Sequence, residues 1–219
     1  MFSMWRIESD LEEAGAPYDR RAAAYDHLVR SRTYNRIAWS ASPRDYTAFA
    51  AAAFASDPGP LLEVAAGSAA ATGELHARAG RQTVLVDLSR AMLDRAGRRI
   101  ADASETGEVP ERVRLLQADL LGLPFPEHGF TTVLGLGLTH LFDDVPALVT
   151  ALRPQLAPGG RMFLAGLVAE TRRGRRYLEI LHRAGEVSRP MTAEELRVAL
   201  GRPEEFHTAG CMAYAILAT

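Results

Sequence analysis

From residue 61 onward the chain alternates short, almost wholly apolar runs with amphipathic segments, and that rhythm limits the fold more than any other feature. "PLLEVA" leads into "ATGELHARAG", "TVLVDL" into "SRAMLDRAGRRIADA", "VRLLQADL" into a loop, and "FTTVLGLGL" into "VPALVTALRPQL", after which comes "GRMFLAGL". Strands that are apolar on both sides must be covered on both sides. Helices between successive strands supply that cover, so the pattern predicts an α/β, doubly wound, mostly parallel sheet. The rhythm breaks at the end of the chain. "EFHTAG" and "CMAYAILA" leave no room for a helix between them and predict an antiparallel hairpin at the sheet edge, which brings the expected sheet to seven strands. The helix before them, "TAEELRVALG", opens with Thr192 and Glu195 at capping-box spacing.

Residues 1–58 hold no such strand. "RRAAAYDHLVR" and the segment after Ser42-Pro43 read as two helices, expected as an N-terminal helical cap over the mouth of the sheet. The core then covers 59–219, with an arginine-rich helical insertion at 170–190, and no repeat or linker divides this single domain. A hydrophobic content of 47% is ample for a core of that size.

Charge and composition narrow the partners. With 25 Lys and Arg against 27 Asp and Glu, the net charge of −2 gives no general reason to expect nucleic acid or a membrane. No apolar run approaches the roughly 20 residues of a span or forms a leader, so a cytoplasmic protein with a small-molecule substrate is expected, and a homodimer is compatible with this. Arg172, Arg173, Arg175, Arg176 and Arg183 could meet an acidic substrate, but an arginine run on a helix reads first as a solvated face. A single Cys211 argues against a thiolate metal site, and no metal is expected.

In an open parallel sheet, ligands bind beyond the carboxyl ends of the strands. After the first strand, Gly67 permits a tight turn and a close backbone approach, with a helix expected to begin near Ala69. Asp87 ends the second strand, 20 residues beyond Gly67, a spacing at which a carboxylate can accept both ribose hydroxyls. Asp119 ends the third, followed by Leu120, which suits an adenine edge and ring. A dinucleotide fits less well, since "AAGSAAATG" lacks the G-x-G-x-x-G fingerprint and Glu63 would repel a diphosphate. Glu63 instead suits a ligand with an amino group.

Taken together, "LLEVAAGSAAATGEL", "TVLVDLSRAML", "VRLLQADLLGLPFPEHGFTTVLGLGLTHLF" and "ALRPQLAPGGRMFLA" resemble the successive motifs of class I S-adenosylmethionine-dependent methyltransferases. The similarity is closest to the small-molecule branch that includes the ubiquinone and menaquinone C-methyltransferases. The resemblance implies a Rossmann-like fold and S-adenosylmethionine as cofactor. It places Tyr18, in a helix that closes over the cofactor, with Glu63 and the backbone of Ala65 and Gly67 at the methionine part. Asp87 would hold the ribose, Leu88 and Met92 would pack on the adenine, Asp119 and Leu120 would hold its edge, and Gly135 and Leu136 would add backbone after the fourth strand.

The chain departs from the family pattern at Ala65 and Ala69, which replace the first and third loop glycines, and at Thr131, which replaces an aspartate. Because L-alanine cannot take positive φ cheaply, the turn is expected to need that conformation only at Gly67. Ala65→Gly should then lower stability by about 0.5–1 kcal/mol through added backbone freedom. His140, beyond the fourth strand, stands where the family often has a histidine near the transferred methyl. It is the candidate catalytic residue, expected as a base titrating near its ordinary range, although transfer from a sulfonium needs chiefly in-line positioning. Two rivals stay open: an S-adenosylmethionine-binding protein without methyl transfer, and a nicotinamide oxidoreductase disfavoured by the missing fingerprint.

Overall fold

The computed structural model describes residues 43–219, so the first expected helix and the expected cofactor residue Tyr18 lie outside the described residues. The elements run α1 (Pro43–Ala55), β1 (Leu61–Val64), α2 (Gly73–Arg78), β2 (Thr83–Asp87), α3 (Arg90–Ala103), β3 (Val113–Gln117), β4 (Phe130–Gly135), α4 (Val145–Leu152), β5 (Leu156–Leu167), α5 (Arg172–Arg183), α6 (Ala193–Ala199), β6 (Glu205–Ala209) and β7 (Met212–Ala218). They form the expected sheet, a seven-stranded one in the order β3-β2-β1-β4-β5-β7-β6. β1 to β5 are parallel, and β7 runs antiparallel between β5 and β6.

Each element follows from local chemistry. All four residues of β1 are buried, as a central strand covered on both faces requires. Ser89, Asp144 and Thr171 cap α3, α4 and α5 by accepting from Met92, Ala147 and Gly174 N–H, and Thr192 and Glu195 form the full capping box of α6. One start differs from expectation. α2 begins at Gly73 instead of near Ala69, because the chain is still turning at Ala69 (φ 51°). Thr72, its N-cap residue, makes no cap bond, since its hydroxyl donates to Glu63.

The second expected helix, α1, forms, but its body lies on the face of the sheet and not over the mouth. Phe49 and Ala53 pack with Leu134, Phe163, Ala165 and Tyr214, with the Phe49 ring 5.5 Å from Phe163 and 5.0 Å from Tyr214. Burying that aromatic against β4, β5 and β7 contributes roughly 2–3 kcal/mol, which outweighs any reason for an apolar face to stand in solvent. Tyr46 reaches toward the mouth, where a side chain at Gly137 would meet its hydroxyl at 3.2 Å. The other end of α1 is fastened by Arg81, 6% exposed. Its guanidinium donates to the carbonyls of Ala53, Phe54 and Gly59 and to the hydroxyls of Thr131 (3.1 Å) and Thr132 (3.0 Å). Burial lowers its pKa, and the nearby charge of Asp57 opposes that shift.

Candidate functional site at the strand ends

The strand order reverses between β1 and β4, which opens a crevice at the carboxyl ends. The registers Val64↔Val86, Val64↔Gly135 and Asp87↔Gln117 bring the ends of β1 to β4 level, so the loops that carry the expected site residues rise from one rim.

The loop after β1 corrects the sequence reading. Ala65, Gly67 and Ala69 all lie in the left-handed region, at φ 48°, 54° and 51°. The alanines therefore sit in a conformation that suits glycine, at a cost of roughly 1–2 kcal/mol each. Gly67 is also open, since a Cβ built there would meet nothing within 4 Å, so a ligand can come close to its backbone. The loop is held from both sides. Asp87 Oδ2 accepts from Gly67 N–H at 2.8 Å while its Oδ1 accepts from Ser89 N–H at 2.8 Å. Arg99, from α3, donates to the Ser68 carbonyl and, at 2.9 Å, to its hydroxyl.

Glu63 points inward, 2% exposed. Its Oε1 accepts from Thr72 Oγ1 at 3.0 Å and its Oε2 lies 2.5 Å from His76 Nε2, while His76 Nδ1 lies 3.0 Å from Thr83 Oγ1. The carboxylate thus ties β1 to the end of the loop and to α2. The sequence reading missed His76, Thr72 and Arg99. Only His76 left a trace, as a polar residue on the buried side of a helical segment.

The other expected residues follow the strands. Leu88 is half-buried, and its carbonyl accepts from Gln117 Nε2 at 2.9 Å. Met92 is buried in the first turn of α3. Asp119 is exposed, with Oδ1 accepting from Leu121 N–H at 2.9 Å, and Leu120 is half-buried beside it. Gly135 is buried where a side chain would strike Leu138 at 2.6 Å and Leu164 at 3.0 Å, so glycine there is a packing requirement, and Leu136 follows half-buried.

His140 sits in the 3₁₀ turn Thr139–Leu141. Its Nδ1 accepts from Leu167 N–H at 3.3 Å, its carbonyl accepts from Ser188 N–H at 2.9 Å, and burial pushes its pKa down to about 4. The expected titration near the ordinary histidine range is therefore corrected: the ring is neutral at physiological pH. With Nδ1 accepting, the hydrogen is on Nε2, which makes that nitrogen a donor.

A groove of about 650 Å³ elsewhere, between α5, α6 and β6, is lined by Glu170, Arg175, Glu194, Arg197, Phe206 and His207. It includes none of the strand-end residues, and its carboxylates are engaged: Glu194 with Arg197 at 2.7 Å and Glu170 with Ala193 N–H at 2.7 Å. Among the described residues no group of three or more histidine, cysteine or acidic side chains could hold a metal ion.

Comparison with known proteins agrees with this geometry. A methyltransferase domain family matches residues 61–160. The demethylmenaquinone methyltransferase of Parafrankia sp. (strain EAN1pec) is 33% identical over 181 residues, covering 76% of this chain and 70% of that protein. Alignments with ubiquinone/menaquinone biosynthesis C-methyltransferases are shorter, and the chain spans only about two fifths of their length. Among solved structures, the geranyl diphosphate C-methyltransferase of Streptomyces coelicolor A3(2) superposes with a TM-score of 0.66 at 15% identity, covering 98% of this chain and 99% of that one. The [4+2]-cyclase SpnF gives 0.68 at 17% identity, covering 90% and 74%. The levelled strand ends, the left-handed loop fastened to Asp87, and the extent of the match to the Parafrankia relative lead to one conclusion: the chain belongs to the class I S-adenosylmethionine-dependent methyltransferases.

Proposed function

We propose that this chain transfers the methyl group of S-adenosylmethionine to a small-molecule acceptor, with the cofactor lying across the carboxyl ends of β1 to β4. The observation that carries the reading is the Asp87 carboxylate, which orders the Gly67 turn at 2.8 Å and stands at the position suited to a ribose. Asp87 would take the ribose hydroxyls and Asp119 with Leu120 the adenine, while the open backbone at Gly67 would lie against the methionine part. Glu63, turned inward, would act on that part through the loop it holds.

When bound, the cofactor supplies an electrophilic methyl on a positively charged sulfur, so the protein's task is to align an acceptor and exclude water. His140 would orient the acceptor by donating from Nε2 as a neutral ring, a role that calls for no titration near neutrality. The relatives' names make demethylmenaquinone the first acceptor to assay, and the reaction would take place in the cytoplasm.

The test is calorimetric titration with S-adenosylmethionine, S-adenosylhomocysteine and NAD, followed by a methyl-transfer assay with a reduced demethylmenaquinone. Binding of the first two with transfer supports the reading. Binding without transfer to any acceptor would point to a cofactor-binding protein of another activity, and binding of NAD alone would overturn the assignment.

A further inference from the structure

We propose that α5 is a docking surface for bilayers rich in anionic phospholipid. The inference is independent of the acceptor's identity. α5 carries Arg172, Arg173, Arg175, Arg176 and Arg183, all exposed, in a chain whose net charge is −2. Elsewhere Arg78, Arg90, Arg161, Arg189 and Arg197 each meet a carboxylate within 3.6 Å, while the exposed Arg98, Arg114, Arg153 and Arg202 meet none but stand at four separate places in the fold. Among the described residues none of the five on α5 meets a carboxylate, and Glu179 is the one acidic residue the helix itself offers. Five exposed arginines against one acidic residue make a face of one sign, where a face that only needed solubility would be expected to mix signs.

The spacing sets out a plane. Arg172, Arg176 and Arg183 stand four and seven residues apart on one side of the helix, and Ile180, four after Arg176 and three before Arg183, joins them at 58% exposure. Three large hydrophobic side chains are exposed among the described residues, and this one stands among guanidiniums. Arginines around an apolar residue on a helix lying flat are the pattern of an interfacial helix. One small anion does not fit, because Arg172 and Arg183 are about 16 Å apart along the axis. A nucleic acid gains nothing from the isoleucine.

The opposite side keeps the helix on the protein. Gly174 and Leu178 are buried against Cys211, and a side chain at Gly174 would strike the Cys211 Sγ at 2.3 Å. The flanking chain is pinned to the mouth of the sheet, by Ala169 N–H on the Met191 carbonyl at 2.8 Å and by Ser188 N–H on the His140 carbonyl at 2.9 Å. Docking through α5 would therefore fix the His140 end of the site relative to the bilayer. The sequence reading saw these five arginines and took them for a solvated face, because the sequence shows neither their lack of carboxylate partners nor the exposure of Ile180 among them.

The experiment is co-sedimentation of the full chain with vesicles of phosphatidylcholine alone or with about 30 mol% phosphatidylglycerol, at about 0.05 and 0.3 M salt. The wild type should bind only the anionic vesicles and lose most binding at the higher salt. Arg172→Gln/Arg176→Gln/Arg183→Gln should reduce partitioning by on the order of 100-fold, and Ile180→Ser should reduce it several-fold at both salt levels. S-adenosylhomocysteine affinity serves as the control for folding. Should the triple variant fail to fold, Arg183→Gln alone, at the helix end, is expected to give about a fivefold loss. Equal binding to neutral vesicles, undiminished binding by the folded variants, or no binding at all would overturn the proposal. So would salt-sensitive binding to duplex DNA with none to vesicles.

Discussion

Ala65 and Ala69 sit at φ 48° and 51°, where an L-residue is strained and glycine is not. Ala65→Gly and Ala69→Gly should therefore each raise stability, by about 0.5–1 kcal/mol after the added freedom of the unfolded chain is subtracted. Denaturant melts decide this, and a loss of stability would restore the idea that the alanines are relaxed. His140 gives a second prediction. Its folded pKa is held at about 4 and its unfolded value is near 6.5, so as pH falls between these values the unfolded chain binds a proton that the folded chain does not. The stability associated with the neutral ring is thus present above about 6.5 and lost toward 4, by about 3 kcal/mol in all. His140→Gln should flatten that part of a stability–pH curve, and an equally steep curve in the variant would show that other groups cause it. For the same reason, methyl-transfer rates should show no inflection from this residue between pH 5.5 and 9, although the variant turns over more slowly. Residue identity was legible in the sequence at Asp87 and Gly67. The conformation of the alanines was not, because intrinsic φ preference is a weak force beside a loop held between them, at Gly67 by Asp87 and at Ser68 by Arg99.

At the scale of elements, the strands and the terminal hairpin could be read from the sequence because both-face burial leaves a continuous apolar run that few other structures need. The capping box of α6 was equally local. What could not be read was decided by partners far away in the chain. Thr72 has the chemistry of an N-cap, yet it gives its hydroxyl to Glu63, nine residues earlier. Arg81 sits in a turn that invites solvent, yet it joins the carbonyl end of α1 to β4. Arg81→Met should remove donors from the Ala53, Phe54 and Gly59 carbonyls and the Thr131 and Thr132 hydroxyls together, at about 2–4 kcal/mol, judged by the cost of leaving buried acceptors without donors. Thermal melting together with hydrogen exchange of α1 would check it. A change under about 1 kcal/mol would show that Phe49 and Ala53 hold the helix unaided.

For the whole molecule, the doubly wound class was legible, while the strand order belongs to the structure and puts the ends of β1 to β4 on one rim. Charge was legible only as composition: the five arginines of α5 stand out in the sequence, but their unpaired state and the exposed Ile180 beside them belong to the folded chain. The central claim is that the rim built by Asp87, Gly67 and Asp119 holds S-adenosylmethionine. The measurement that tests it most directly is calorimetric titration of S-adenosylhomocysteine into the wild type and Asp87→Ala. The expected result is saturable binding with one site in the wild type and a loss of about 2–4 kcal/mol in the variant, together with some loss of stability as Gly67 and Ser89 N–H lose their acceptor. No binding by the wild type, or equal affinity in a folded variant, would contradict it.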